Sequence, residues 1–391
     1  MKTLIELYDP RPFENVLSTE VFRPERTVFL CPPETENDTR KKEMLHNYLS
    51  RRGVEAELIF RPVSLLDTHA MTEALEKIVR AYPDCALDIS GGSDAALFAA
   101  GMVCAGTGIP VFTYSRKKSA FFDIQNAPFA DHLPCPLKLG IEDCFRMAGA
   151  KAIQGRVDNT ILKKYEALIP AMFALYLRHR RDWPKIVSYM QAISQPEKKK
   201  APALRVSGAY TLKGDRGRKI TAPEKALKDM RQAGLIRDLS IVGGEAVSFA
   251  FRDLQIRTWL RDVGSMLELY TYQCALDTVL FQEVRTSVIV DWDGGQDRQV
   301  TNEIDVMAVR GVVPLFISCK TCAVKTEALN ELAILRDRFG SEMAKAAIVT
   351  AERANSAVRQ RAQRLGIDVF DVEDLKQNRL KGCLAEMAGA E

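Results

Sequence analysis

Short runs of consecutive apolar residues alternate, through residue 125, with longer stretches whose apolar positions recur every third or fourth residue. "RTVFLC", "AELIFRPV", "CALDIS" and "IPVFTYS" read as strands, and the stretches from about Thr39, over residues 66 to 82 and from Ser93 read as the helices between them. Helices of that length between strands are crossover connections, so the pattern predicts a parallel sheet covered on both faces. Such sheets bind ligands beyond the carboxyl ends of their strands, where "CPPETENDT" and "SGGSD" form loops.

The period then changes. Residues 157 to 195 read as helical, and the apolar stripe of "ILKKYEALIPAMFALYL" asks for a partner. Next, "TAPEKALKDMRQAG" predicts a helix with Thr221 as N-cap, Pro223 in its first turn and Gly234 as its stop. "LIRDLSIVGGEAVSFAF" follows as a hairpin turning at Gly243 and Gly244, so helix and hairpin together suggest a small winged-helix-like element. From Leu254 onward the expected order is one long helix through "WLRDVGSMLELYTYQCALD", then the strands "EVRTSVIVDWD", "VTNEIDVMAVR" and "VPLFISCK". A helix at 326 to 339, the strand "KAAIVTA", a helix to Leu365 and the strand "IDVFDV" complete it.

Composition narrows this picture. A chain of 391 residues with 47% apolar content is long enough for two or three domains, each with its own core. The opening "MKTLIELYDPRPFENV" lacks the apolar centre of a secretory signal, and no run is long and apolar enough to span a bilayer, which points to the cytoplasm and away from membranes. Nine scattered cysteines suit reduced thiols, and the one close pair, "CKTC" at Cys319 and Cys322, lacks the second pair of a structural zinc site. The net charge of +4 is concentrated: residues 196 to 238 carry twelve Lys or Arg against five acids. That stretch is either a solvated linker, with Gly208, Gly214 and Gly217 loosening it, or a polyanion contact.

The candidate chemistry lies in "TNEIDVMAVRGVVPLFISCKT". Side chains alternate along a strand, so Glu303 and Asp305 share a face, as do Ser318 and Lys320 on the following strand. Acids and a lysine in an otherwise apolar hairpin are costly to bury unless they bind something. Oxygen donors suit Mg²⁺ or Mn²⁺, which grip phosphodiester oxygens and acidify water, while a nearby lysine can orient that water. A salt bridge on an exposed hairpin is the plainer reading of Asp305 and Lys320 alone. Glu268, an acid among apolar neighbours in "GSMLELY", tips the balance towards a site. All four histidines, at 46, 69, 132 and 179, lie in the first half, so a site in the second half uses carboxylates.

Helix acid, strand acid and strand lysine over an αβββαβ order resemble the PD-(D/E)xK nuclease superfamily, whose usual acid two places before the lysine is here Ser318. The resemblance implies Glu268, Glu303, Asp305 and Lys320 as catalytic residues. It also implies a metal held by Asp305, the Cys319 backbone carbonyl and either Glu268 or Glu303, with Glu268 the first choice. Thr321 and Glu327 stand close behind the lysine. In the first half, "DISGGS" ends a strand and opens a helix whose free N–H groups suit a phosphate, with Gly91 and Gly92 permitting close approach. With "LIELYDPRPFENVLSTEVFRPERTVFLCP" and "NEIDV...FISCKT", this turn resembles the ancillary nucleases of type III CRISPR systems, in which a CRISPR-associated Rossmann-fold (CARF) sensor precedes a PD-(D/E)xK nuclease.

That likeness implies an α/β chain in three parts: a Rossmann-like CARF sensor over 1–150, a helical and winged-helix-like connector over 151–253, and a restriction-endonuclease-like domain over 254–391. It further implies a homodimer that binds a cyclic oligoadenylate, most often cyclic tetra-adenylate, at Ser90, Gly91, Gly92 and Ser93. The expected substrates are single-stranded DNA, RNA or supercoiled DNA. Asp94 departs from the family's turn, which often carries lysine there. Two other readings stay open: a ligand-dependent nucleic-acid-binding regulator with a degenerate nuclease core, favoured by Ser318, and a ring nuclease that degrades its own cyclic nucleotide.

Overall fold

The computed structural model describes residues 1–155, 157–195, 202–213, 217, 219–294, 300–340 and 343–389. Its first sheet has six strands: β1 (Thr3–Leu7), β2 (Arg26–Cys31), β3 (Glu57–Pro62), β4 (Cys85–Asp88), β5 (Val111–Ser115) and β6 (Ala120–Gln125). They lie in the order β3-β2-β1-β4-β5-β6, with all neighbours parallel except β6, which returns antiparallel to β5. Two corrections to the expected sheet follow. Its central strand is β1, buried at all five positions, and its last edge is an antiparallel hairpin. Because β1 pairs with both β2 and β4, the winding reverses between β1 and β4, and the loops after these strands meet at the carboxyl edge. The helices Thr39–Arg51, Thr68–Ala81 and Asp94–Thr107 stand where the sequence places them.

After β7 (Lys151–Gln154), the expected helical stretch is divided into Ile169–His179 and Trp183–Ile193 by a 3-10 turn at Arg180–Asp182. Three strands, β8 (Arg205–Ala209), β11 (Ile236–Val242) and β12 (Ala246–Phe251), form a small antiparallel sheet, and β9 (Thr211–Lys213) pairs with β10 (Lys219–Thr221). The helix between them is Glu224–Gln232, two residues later than its expected cap: Thr221 ends β10, and Pro223 holds the cap position. Of the basic stretch, residues 196–201, 214–216 and 218 lie outside the described residues.

The second sheet runs β17-β16-β15-β14-β13-β7, from β13 (Glu283–Asp291), β14 (Thr301–Arg310), β15 (Val313–Lys320), β16 (Lys345–Thr350) and β17 (Ile367–Phe370) with the distant β7 at its edge. Strands β7, β13, β14 and β15 pair antiparallel, and β15, β16 and β17 parallel. The single long helix before this sheet is in fact two, Leu254–Trp259 and Ser265–Asp277. Asp262 causes the break: its carboxylate accepts from the Gly264 N–H at 3.0 Å and the Ser265 N–H at 2.8 Å, satisfying donors that only a new helix start leaves open.

Two cores hold the second sheet. On one face Val306, Ala308, Leu315 and Ile317 join the helices Ile169–His179 and Ser265–Asp277, whose Phe173 and Tyr270 rings stack with centroids 3.6 Å apart. On the other, Ile304, Met307, Val309 and Phe316 merge with Phe13, Val16 and Phe145 of the first half. The apolar stripe read in the sequence therefore finds its partner on the nuclease-like sheet. No helix among the described residues is long and apolar enough to cross a membrane.

Candidate functional site

The site begins where a ladder stops. Register between β14 and β15 runs from Arg310↔Val313 to Val306↔Ile317 and goes no further. At the next place the Asp305 carboxylate substitutes for a backbone partner: its Oδ2 accepts the Cys319 N–H at 2.6 Å and the Ser318 hydroxyl at 3.1 Å. Lys320 Nζ stands 3.6 Å from the same oxygen. Across β14, the partner strand is irregular at the same level. Ser287 adopts φ +54 and has no register partner between Thr286↔Val306 and Val288↔Ile304. A side-chain-bearing residue there costs roughly 1–2 kcal/mol. Several bonds hold the irregularity in place: Thr286 Oγ1 donates to the Asp305 carbonyl at 2.8 Å, and the Asn159 side chain takes the Thr286 N–H at 2.9 Å and donates to its carbonyl at 3.0 Å. The freed Ser287 hydroxyl donates to Glu303 Oε1 at 2.6 Å.

Charge is unevenly compensated here. The Asp305 side chain is only 17% exposed and that of Lys320 34%. Burial pushes the Asp305 carboxyl above its ordinary value and the Glu303 carboxylate adds to this, while Lys320, the Cys319 N–H and the Ser318 hydroxyl oppose it without cancelling it. The Cys319 thiol, buried against Thr271 Oγ1 at 3.5 Å, is raised well above its usual range by burial and then by the carboxylates of Asp305 and Glu268. Glu268 thus faces Cys319 from the first turn of the helix Ser265–Asp277, its carboxylate folded over Gly264 where a Cβ would collide.

The structure therefore gathers Asp305, Ser318, Lys320 and Glu303, with the Glu268 carboxylate close enough to the buried Cys319 thiol for its charge to act there. Among the described residues no three His, Cys, Asp or Glu side chains form a ready metal cluster. What is present is a set of hard oxygen donors carrying more negative than positive charge in a largely buried place, a donor set that fits Mg²⁺ or Mn²⁺ better than a soft metal. Glu327 is exposed in the first turn of its helix. All nine cysteines are unpaired, Cys319 buried and Cys322 exposed. Ser287, Thr286 and Asn159 escaped the sequence reading because only the fold brings them to Asp305.

At the first sheet's carboxyl edge, the SGGS turn lies against the loop after β1. Gly92 has φ +98 and faces the Leu7 side chain, while Gly91 packs on Asp9. Asp9 accepts two bonds from the Arg11 guanidinium, each at 2.7 Å, and one from the Arg11 N–H at 2.9 Å. Burial alone would raise the Asp9 carboxyl, but these bonds and the Gly92 N–H bring it below its ordinary value. Both serine hydroxyls are committed to structure. Ser90 Oγ donates to buried Asp88 and accepts the Tyr114 N–H at 2.7 Å; Ser93 Oγ donates to the Leu65 carbonyl at 2.9 Å and caps its helix through the Ala96 N–H at 3.3 Å. Contact with an anion at this turn thus falls to backbone N–H groups and the helix start.

Residues 257–388 match the family model described as "Card1-like, endonuclease domain". Two solved structures share the fold of the whole chain. One is protein VC1899 from Vibrio cholerae, with a TM-score of 0.74 and 18% identity over 100% of this chain and 99% of that one. The other is Can2 from Sulfobacillus thermosulfidooxidans in complex with cyclic tetra-adenylate, with a TM-score of 0.71 and 16% identity over 100% of this chain and 98% of that one. No curated protein matches the chain by sequence. The likeness to a type III CRISPR ancillary nuclease and the mixed α/β fold read from the sequence are borne out by these matches. Residues 257–388 thus resemble a Card1-like endonuclease domain, within a fold that the whole chain shares end to end with Can2.

Proposed function

We propose that the chain is a metal-dependent endonuclease of type III CRISPR antiviral defence, switched on by a cyclic oligoadenylate, cyclic tetra-adenylate first among them, and cutting DNA, RNA or both. Residues 1–150 act as the sensor, 151–253 as the connector and 254–391 as the nuclease domain. The observation that carries the reading is the Asp305 carboxylate at the end of the β14–β15 ladder, bonded to the Cys319 N–H and 3.6 Å from Lys320 Nζ. Asp305, Glu268 and the Cys319 carbonyl would hold Mg²⁺ or Mn²⁺, which when bound supplies a Lewis acid and a more acidic attacking water. Lys320, at that distance, is not locked in a tight pair, so its ammonium can orient water or offset charge growing on a phosphate oxygen. Glu303, fixed by the Ser287 hydroxyl, keeps a second carboxylate beside Asp305.

In the sensor, the backbone of Gly91 and Gly92 and the start of the helix Asp94–Thr107 receive the activator's phosphates. A ring with twofold symmetry calls for two copies of the turn, hence a homodimer. Support comes from that helix, which exposes Phe98 at 65% and Met102 at 55%, an uncovered apolar face that starts at the turn. The test is cleavage of single-stranded DNA, RNA and supercoiled plasmid with Mn²⁺ or Mg²⁺, with and without cyclic tetra-adenylate. Asp305→Ala and Lys320→Ala each lower cleavage by at least about 100-fold while folding is retained. Full activity in EDTA, or in either variant, refutes the assignment.

A further inference from the structure

Beside the proposed nuclease site, but outside the Card1-like domain, three buried donors lack acceptors. The side chains of Tyr176, Arg180 and Trp183 follow one another at spacings of four and three residues, which sets them on one side of the helical path from Ile169–His179 into Trp183–Ile193. Tyr176 Oη, Arg180 Nε and Trp183 Nε1 are all buried without a hydrogen-bond partner among the described residues. The Tyr176 and Trp183 rings meet edge to face with centroids 5.5 Å apart. The Arg180 side chain is only 15% exposed, and Glu352 Oε1 lies 3.7 Å from its Nε, too far for a good bond.

A buried Arg180 Nε–H without an acceptor is costly, and three such donors together call for a group that only accepts. Their position says which group. Glu352 follows Ala351, whose N–H donates to the Lys320 carbonyl at 2.9 Å, and Thr350 is the register partner of Lys320. Tyr176 is also close enough to Arg180, Glu352, Cys319 and Cys322 for their charges to act on its hydroxyl. Tyr176 and Arg180 therefore lie near the backbone on either side of Lys320, with Trp183 against the Tyr176 ring.

We propose that Arg180, backed by Tyr176 and Trp183, binds a backbone phosphate of the nucleic-acid substrate at this site. The inference rests on the nuclease reading and adds to it a residue supplied by the connector, so that the site is incomplete in residues 257–388 alone. Arg180 is suited to the task because its planar fork can give two parallel bonds to one phosphate, which a lysine cannot.

The experiment measures binding of a short labelled single-stranded oligonucleotide to the full chain in EDTA, by fluorescence anisotropy over a series of salt concentrations, with and without cyclic tetra-adenylate. Arg180→Ala weakens binding about tenfold or more and lowers the slope of log Kd against log salt by about 0.7, one phosphate contact to a single strand. Arg180→Lys restores the slope but only part of the affinity. Glu352→Gln, which releases Arg180 from the acid beside it, tightens binding and decides the matter if Arg180→Ala fails to fold. Unchanged affinity and slope in Arg180→Ala, or weaker or unchanged binding in Glu352→Gln, overturns the proposal. Cleavage measured in parallel separates the two readings: a wild-type chain that cuts nothing yet loses binding in Arg180→Ala fails as a nuclease and keeps the phosphate site.

Discussion

Replacing Gly92 by alanine tests how the sensor turn is built, and the structure sets its magnitude. Gly92 has φ +98, and a Cβ there would stand 2.7 Å from the Leu7 Cβ. Leu7 cannot give way easily, because it is 2% exposed and ends the central strand β1 within the core beneath the helices Thr68–Ala81 and Asp94–Thr107. The left-handed conformation costs an L residue roughly 1–2 kcal/mol, and overpacking of a closed core about 1–3 kcal/mol more. Gly92→Ala should therefore destabilise the chain by about 2–5 kcal/mol in urea denaturation followed by circular dichroism. Gly108 supplies the control: at φ +67 its Cβ would meet only the Asn126 amide at 3.9 Å, so Gly108→Ala should show the conformational cost without the clash. Equal losses in the two variants, or a Gly92→Ala loss below about 0.5 kcal/mol, would refute the reasoning. The result bears on function, since a bulky or charged residue at Gly92 would lose activation by displacing Leu7 whether or not a phosphate is ever bound there.

Two further outcomes follow from buried carboxylates. Burial, only partly opposed by bonds from Ser18 and Ser90, pushes the Asp88 carboxyl up to about 6, so its favourable contribution is complete below its unfolded value near 3.8 and is lost as pH rises through about 6. Asp88→Asn keeps an acceptor for the Ser90 N–H, and its stability relative to wild type should improve by about 3 kcal/mol between about pH 4 and pH 7.5; parallel urea-denaturation profiles over that interval would disprove the burial argument. Ser318→Asp removes a hydroxyl that donates to Asp305 at 3.1 Å and adds a third carboxylate beside Asp305 and Glu303. Without metal it should cost about 1.5–3 kcal/mol, with Mn²⁺ raising its melting temperature more than that of wild type; an equal Mn²⁺ response in the two proteins would sink the idea that position 318 faces the metal.

Much of the fold was legible because its long elements carry strong periods. The helices Thr68–Ala81 and Thr326–Phe339 fall within a residue or two of their expected bounds. The misses have physical causes. Strand β1 holds Thr3 and Glu6 among its buried residues and is followed by Pro10 and Pro12, so its sequence lacks the unbroken apolar run of a central strand. Strand β7 is four residues long, and its place in the second sheet is set by a partner far along the chain, β13. The broken helix, by contrast, had a readable signal: Asp262, followed by Gly264 and Ser265, marks the start of a new helix inside an apolar stretch.

The site divides along the same line. Residue types were readable, since acids and a lysine stand out against apolar strands, but strand alternation could not show how they meet. It treats Asp305 as one more inward position, whereas its carboxylate occupies the hydrogen-bonding place left when β14 and β15 part. That parting accompanies the irregularity at Ser287, which depends on Asn159, a residue far from it in the chain with no local mark of importance. Arg180 is hidden for the opposite reason: it sits among Arg178, His179 and Arg181 in a run that looks solvated, and its burial appears only once the connector helices pack on the nuclease-like sheet. A site assembled from the ends of β14 and β15, the first turn of Ser265–Asp277 and a corner of the connector will be sensitive to how these bodies are held together. Activity can therefore be lost by loosening that packing with every carboxylate and lysine of the motif intact, so cleavage by residues 257–388 alone would be a weaker test of the chemistry than the full chain with single substitutions.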